Sequence, residues 1–232
     1  MTSLAMRAIA DEQMDAPDLP AETYRQVLAD LAKVNRATFS ARPTLAFLKR
    51  ALGDRRRFKL LDVGFGQGDM LRAIARWAEG RGVVADLVGV DLNPNSEIMA
   101  REATDRALPI RYLTGDYRDR AGEGWDFVVS SLVAHHMKPP ELDAFLRFME
   151  REAAVGWMVN DLHRHWLAYH GFPWLARLAG WHRIVREDGQ LSIARSFRRA
   201  DWRGLLEKAG VDRSGAKVVG RFPFRLCVER IR

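Results

Sequence analysis

Cysteine is almost absent. Cys227 stands alone among 232 residues, so no intrachain disulfide can form, and a reducing compartment, the cytoplasm, is the expected setting. No apolar run approaches the ~18 residues that a membrane span needs. The first twenty residues lack a continuous apolar stretch and carry Asp11, Glu12, Asp15 and Asp18, which argues against a signal or transit peptide; the segment reads as frayed. Repeats and low-complexity tracts are missing too. What is there is the balance of a globular chain, 47% hydrophobic and 29% charged, which excludes a disordered chain, a collagen-like fibre and a disulfide scaffold.

Lysine and arginine number 37 against 30 aspartates and glutamates, a net charge of +7. Such an excess invites a nucleic-acid partner. The basic residues are mostly arginine and are scattered, with one short cluster at Arg55, Arg56 and Arg57. No zinc-finger spacing, basic helix or aromatic single-strand platform accompanies them. A solvated, arginine-rich surface is the preferred reading, and no nucleic-acid partner is expected.

Apolar residues at helical spacing (Leu28, Leu31, Val34, then Leu45, Leu48, Leu52) predict two N-terminal helices, with Pro43 breaking the run between them. From Phe58 the pattern alternates. Short apolar runs over 58–63, 86–90, 110–113, 125–131 and 155–159 read as strands, and 70–78, 96–103 and 141–151 read as helices. A helix over 201–209 and strands over 217–219 and 225–231 close the chain. This alternation predicts an α/β architecture around a mainly parallel sheet, whose ligands sit at the carboxyl ends of the strands. Residues 1–57 are expected to form a helical segment of the same domain, a candidate substrate lid. Residues 58–232 form the main unit, with an aromatic-rich, lid-like insertion over 162–198.

The strongest local signal is Asp62-Val63-Gly64-Phe65-Gly66-Gln67-Gly68, between a predicted strand and a predicted helix. Glycine allows a sharp turn and close approach to a ligand. A dinucleotide site places its third glycine one position later, where this chain has Asp69, an acid that would repel a pyrophosphate. The loop instead resembles motif I of the class I S-adenosylmethionine-dependent methyltransferases, acidic-x-Gly-x-Gly-x-Gly. Later strand ends agree with that pattern: Gly89-Val90-Asp91-Leu92 after the second strand, Gly115-Asp116-Tyr117 after the third, and Ser130-Ser131 after the fourth. The resemblance, to bacterial ubiquinone- and menaquinone-type small-molecule methyltransferases in particular, covers about residues 58–161. It implies a Rossmann-like, seven-stranded, mostly parallel sheet of order 3-2-1-4-5-7-6. It also implies S-adenosylmethionine as cofactor, with no metal. Carried over, Gly64, Phe65, Gly66 and Gly68 form the cradle, Asp62 serves the amino-acid end, Asp91 the ribose hydroxyls, Leu92, Asp116 and Tyr117 the adenine, and Ser131 the methionine side.

Methyl transfer to a hydroxyl profits from a base. His135 and His136 follow the fourth strand directly, and related quinone methyltransferases often carry a His pair there. His163 follows the fifth strand, with Asp161 close enough in sequence to orient its ring. Helix capping is the plainer reading of either group. Histidines two apart, without a matching Cys set or His-Glu motif, make a poor metal site. Trp166, Tyr169, Phe172 and Trp174 are expected to line a flat apolar substrate pocket; ordinary core and a membrane-surface contact are the alternatives. The expectation is methyl transfer from S-adenosylmethionine to a small aromatic, polyketide or quinone-like molecule, at oxygen before carbon. The rivals are a nucleic-acid methyltransferase, from which the missing Asn/Asp-Pro-Pro-Phe/Tyr run detracts, and a non-catalytic scaffold.

Overall fold

The computed structural model describes residues 4–16, 18–212 and 214–232. A seven-stranded sheet runs in the order β3-β2-β1-β4-β5-β7-β6. Its strands are β1 (Arg57–Val63), β2 (Val84–Asp91), β3 (Ile110–Thr114), β4 (Trp125–Ser131), β5 (Ala153–Leu162), β6 (Ala216–Arg221) and β7 (Arg225–Ile231). The pairs from β3 to β5 are parallel, and β7 runs antiparallel to both β5 and β6. This is the expected fold.

Both sheet faces are covered, so the inner strands read as unbroken apolar runs. In β1, Phe58 and Leu60 join Phe47, Leu71 and Ile74 of helices α2 (Ala41–Leu52) and α3 (Asp69–Glu79). Leu61 and Val63 face the other way, toward Phe145, Met149, Trp202 and Leu206 of α5 (Pro139–Glu152) and α8 (Arg199–Lys208). The period of two along the strand makes that division. Helix α4 (Pro94–Glu102) connects β2 to β3 and begins at Asn93, whose side chain accepts from Asn95 N.

Three further helices sit over the carboxyl edge: α1 (Ala21–Ala37), α6 (Trp166–Leu178) and α7 (Arg183–Arg195). Val27 and Val34 of α1 pack with Ala176, Trp181, Ile184 and Val185. Two sequence expectations are corrected here. Pro43 lies in the first turn of α2, where its missing N–H costs nothing; the helices separate instead at Thr38–Ser40, where Phe39 adopts φ 52°. The described residues of the N-terminal segment are also not frayed. Ala8 N donates to Ala194 O, and Gln13 N and Met14 N donate to the two carboxylate oxygens of Asp188 at 3.1 and 2.9 Å. Arg195 donates to Ala10 O from its other side. The N-terminal strap is thus tied to α7 by charge-assisted bonds that no helical or strand period announces. Residues 1–3 and 17 of that start lie outside the described residues.

Candidate functional site

One cavity of about 1060 Å³ opens between the carboxyl edge of the sheet and the helices above it. The turn from β1 into α3 forms its floor. Gly64, at φ 75°, is packed so closely that a Cβ there would lie 2.4 Å from Val133 Cγ2. Gly66, at φ 54°, lines the cavity and donates its N–H to Asp91 Oδ2 at 2.9 Å. Asp91 Oδ1 accepts from Asn93 N at 2.9 Å, so the carboxylate at the end of β2 is held rigidly while keeping free lone pairs. Gly68 serves differently. A Cβ there would meet the Tyr112 hydroxyl at 2.5 Å, so this glycine lets α3 approach β3 and does not line the cavity. Phe65 lines it, with its ring 5.0 Å from that of Tyr112.

Asp62 is the most unusual group. It is buried, lines the cavity, and neither carboxylate oxygen has a hydrogen-bond partner. Burial, then the negative charges of Asp69 and Asp91, push its carboxyl up to about 8. Asp69 lies nearby and accepts from Asn35 Nδ2 at 3.1 Å. A buried, unpartnered carboxyl among other acids is costly unless a cation or donor meets it. Loop, orphan and acids together fit S-adenosylmethionine, which brings an ammonium, a sulfonium and a ribose diol but no phosphate. The arginine at this loop, Arg72, donates to Gln67 O and does not line the cavity, so a pyrophosphate would face the acids and not a cation.

Ser131 and the exposed Leu92 line the cavity as expected. So do Gly115 and Tyr117, the latter braced by Phe145 and Phe148. Asp116 does not. Its carboxylate turns to Arg118, accepting from the backbone N at 2.8 Å and from Nε at 3.0 Å. That internal pair, two residues apart, keeps it out of the cavity lining.

The histidines are arranged otherwise than expected. Asp161 does not orient His163; it accepts from His135, at 2.6 Å from Nδ1 and 2.9 Å from the backbone N. Burial pushes the Asp161 carboxyl up, but electrostatic attraction to and the hydrogen bond with His135 outweigh it and hold it below its usual range. His163 lies outside the cavity, with its N donating to Phe224 O at 2.8 Å and its residue bridged to Phe197. His136 is the partly exposed member of the cavity pair. Its Nδ1 lies 2.7 Å from Asp15 Oδ2, and its ring is 4.3 Å from that of His135. Burial pushes the His136 imidazole down, but the bond to Asp15 and the charge of Glu12 outweigh it and raise the net value above the ordinary one. Glu12 is buried against both rings, 3.6 Å from His135 Nε2 and 3.8 Å from His136 Nε2, and accepts from Ser192 Oγ at 2.8 Å. The donor atoms of Glu12, His135 and His136 lie within 4.8 Å of one another, a spacing that a cation could bridge.

Above the histidines the walls are apolar, made of Leu28, Leu31, Phe172, Val185 and Ile193 among others. Of the four aromatics expected there, Phe172 alone lines the cavity. Trp166 and Trp174, eight residues apart on α6, face outward and are exposed. Tyr169 is used through its carbonyl, which accepts from Gln190 Nε2. Glu12, Asp15, Asp69 and Arg225 are lining residues that reading the chain missed. The cluster Asp11, Glu12, Asp15, Asp18 was the available signal for the first two.

Residues 60–155 match the family described as "Methyltransferase domain". None of the curated proteins matches. Among solved structures, the chain is similar to magnesium protoporphyrin IX methyltransferase from Synechocystis PCC 6803 with S-adenosylhomocysteine, at 17% identity, 94% of this chain, 90% of that one and a TM-score of 0.58. It is also similar to a plantazolicin methyltransferase (13% identity, 88% and 90% coverage, TM-score 0.64) and to human N-acetylserotonin methyltransferase with S-adenosylmethionine (13% identity, 92% and 56% coverage, TM-score 0.62). Residues 60–155 thus carry the match to a methyltransferase domain, and the solved structures share the fold of the chain as a whole. Among the described residues, no helix is long and apolar enough to cross a membrane.

If Asp91 meets the ribose, Asp91→Ala should weaken binding of S-adenosylhomocysteine by about 1–3 kcal/mol in calorimetry. Unchanged affinity would remove Asp91 from the donor site.

Proposed function

We propose that this enzyme methylates a hydroxyl oxygen of a small, flat, largely apolar molecule, aromatic, polyketide or quinone-like, in the cytoplasm. The observation that carries the reading is the pair of imidazoles at the cavity wall, each fixed at Nδ1 by a carboxylate: His135 by Asp161 and His136 by Asp15. A carboxylate on Nδ1 fixes the tautomer and strengthens the other nitrogen as a proton acceptor. The solved structures it resembles include methyltransferases of magnesium protoporphyrin IX and of N-acetylserotonin, which is in keeping with a flat acceptor.

In this reading Gly64, Gly66, Asp62 and Asp91 hold the donor. When bound, S-adenosylmethionine supplies a methyl group already activated by its sulfonium. What remains for the chain is positioning, worth up to roughly 7–11 kcal/mol in well-oriented systems, and proton removal. His136, the more accessible ring, accepts the hydroxyl proton at Nε2, while Asp15 stabilises the imidazolium that forms. His135 is the buried positioning residue beneath it. The apolar walls and the strap, acting as a lid, exclude water. Glu12 joins the base cluster from the strap side.

The test is incubation of a metabolite extract with the enzyme and methyl-deuterated S-adenosylmethionine, followed by mass spectrometry, with and without a chelator. The expected product gains one deuterated methyl on oxygen and forms equally with the chelator present. A product labelled on nucleic acid would displace this reading. A rate lost to the chelator and restored by a divalent ion would make the Glu12–His135–His136 cluster a metal centre.

A further inference from the structure

Arg225, the first residue of β7, is buried with only 3% of its surface exposed, yet it lines the cavity. Its Nη2 donates to Thr38 Oγ1 at 3.1 Å, while Nε and Nη1 have no hydrogen-bond partner among the described residues. The nearby carboxylates are already engaged. Asp161 accepts from His135 and from Leu162 N, and Asp69 from Asn35. None of the acidic side chains among the described residues forms an ion pair with Arg225. A buried guanidinium whose donors go unmet is a large penalty, and a fold tolerates it where a ligand supplies the missing acceptor.

The ligand atom that meets it can be placed by the sheet. Arg225 pairs with Leu162 of β5, and the order β1-β4-β5-β7 puts it three strands from Asp62. At about 4.8 Å per strand that is roughly 14 Å along the carboxyl edge. That spacing separates the two backbones; the donor's amino-acid end is assigned to Asp62, which leaves the unmet guanidinium donors of Arg225 for the acceptor. Ser131, which lines the cavity, ends β4, one of the two strands between them. Arg225 lines the cavity together with its neighbours Leu162 and Phe224.

We propose that Arg225 anchors a carboxylate on the methyl acceptor, so that the substrate is an apolar, flat acid and not a neutral molecule. A carboxylate accepts two parallel N–H bonds from a guanidinium edge, which fixes orientation as well as adding affinity. With the acid held at β7, the far part of the acceptor points back along the edge toward His136 and Ser131. The proposal rests on the preceding assignment of this half of the cavity to the acceptor.

The test compares two isosteric probes, 2-naphthoate and 2-naphthamide, by calorimetry with S-adenosylhomocysteine saturating. The wild type is expected to bind the carboxylate about tenfold or more tightly than the amide, in line with a charge-assisted pair. Arg225→Gln should abolish that preference and leave S-adenosylhomocysteine affinity unchanged. Arg225→Met should raise the melting temperature, because it removes an unpaired buried charge. Equal binding of the two probes by the wild type overturns the proposal. So does a preference retained in Arg225→Gln, or a loss of S-adenosylhomocysteine affinity in that variant, which would give Arg225 to the donor's own carboxylate. A lower melting temperature for Arg225→Met would equally overturn it, by showing a structural partner. The readout is binding, so an enzyme that discriminates the probes but methylates no hydroxyl would support the anchor and sink only the transfer chemistry.

Discussion

Replacing His136 by glutamine is expected to slow methyl transfer by about 10²–10⁴-fold, the range lost with a general base, while S-adenosylhomocysteine binding stays as in the wild type. Glutamine keeps a polar group of similar reach but cannot take the proton. The pH profile provides the sharper check. His136 must be neutral to act, and its imidazole is raised by the bond to Asp15 and the charge of Glu12, against the opposing effect of burial. The rate should therefore fall as pH drops through a value above that of an ordinary histidine. Asp15→Asn removes one source of that elevation, so the acid limb should move to lower pH, with a slower plateau because the base is weaker. A purely structural Asp15 would leave the limb in place, and that result would take the base role from His136. His163→Ala serves as the control. Its ring lies outside the cavity, and burial, then electrostatic repulsion from His165, Arg199 and Arg198, pushes its imidazole down, so turnover should be unchanged.

The cavity floor, where donor binding is proposed, was legible in the chain because it is local. Asp62, Gly64 and Gly66 fall within one strand-to-helix turn, and Asp91 ends the next strand; strand period and turn chemistry place all four without tertiary information. The same locality misled at Asp116. Position after β3 was read correctly, but Arg118, two residues on, captures the carboxylate. The half proposed for the acceptor is assembled from residues as distant as Glu12, His135, Asp161 and Arg225, and no period links them. Asp161 and His163 share one side of an extended strand, which made their pairing plausible. The loop after β4 crosses to Asp161 first and brings His135 with it. Composition likewise marked 162–182 as aromatic without saying which side of a helix each ring would take. Helix α6 turns Phe172 inward and Trp166 and Trp174 outward. The strap was hardest of all, because polar contacts hold it and hydrophobic patterning has nothing to say about those.

Asp62→Asn should make the protein more stable and a poorer methyltransferase at once. In the free enzyme the carboxyl is buried without a partner and titrates at about 8, whereas in an unfolded chain it titrates near 4. Between those values the folded state holds a proton that the unfolded state has released. Stability associated with Asp62 is therefore full below about pH 4 and declines as pH rises toward about 8. Asparagine has no such titration. The variant should gain about 1–3 kcal/mol near pH 8, after the cost of an unpartnered buried amide is set against the relieved charge, and its melting temperature should exceed that of the wild type most at the alkaline end. Donor binding should move the other way. An ammonium beside Asp62 favours the carboxylate, so binding to the wild type should release a proton and tighten as pH rises toward about 8. The variant should lose that release and about tenfold or more in affinity. Calorimetry with S-adenosylhomocysteine in buffers of different ionisation enthalpy reads both quantities. Wild-type affinity together with undiminished proton release would show that the donor's amino group is held elsewhere. A lower melting temperature at pH 8 would show that Asp62 has a partner in the free fold.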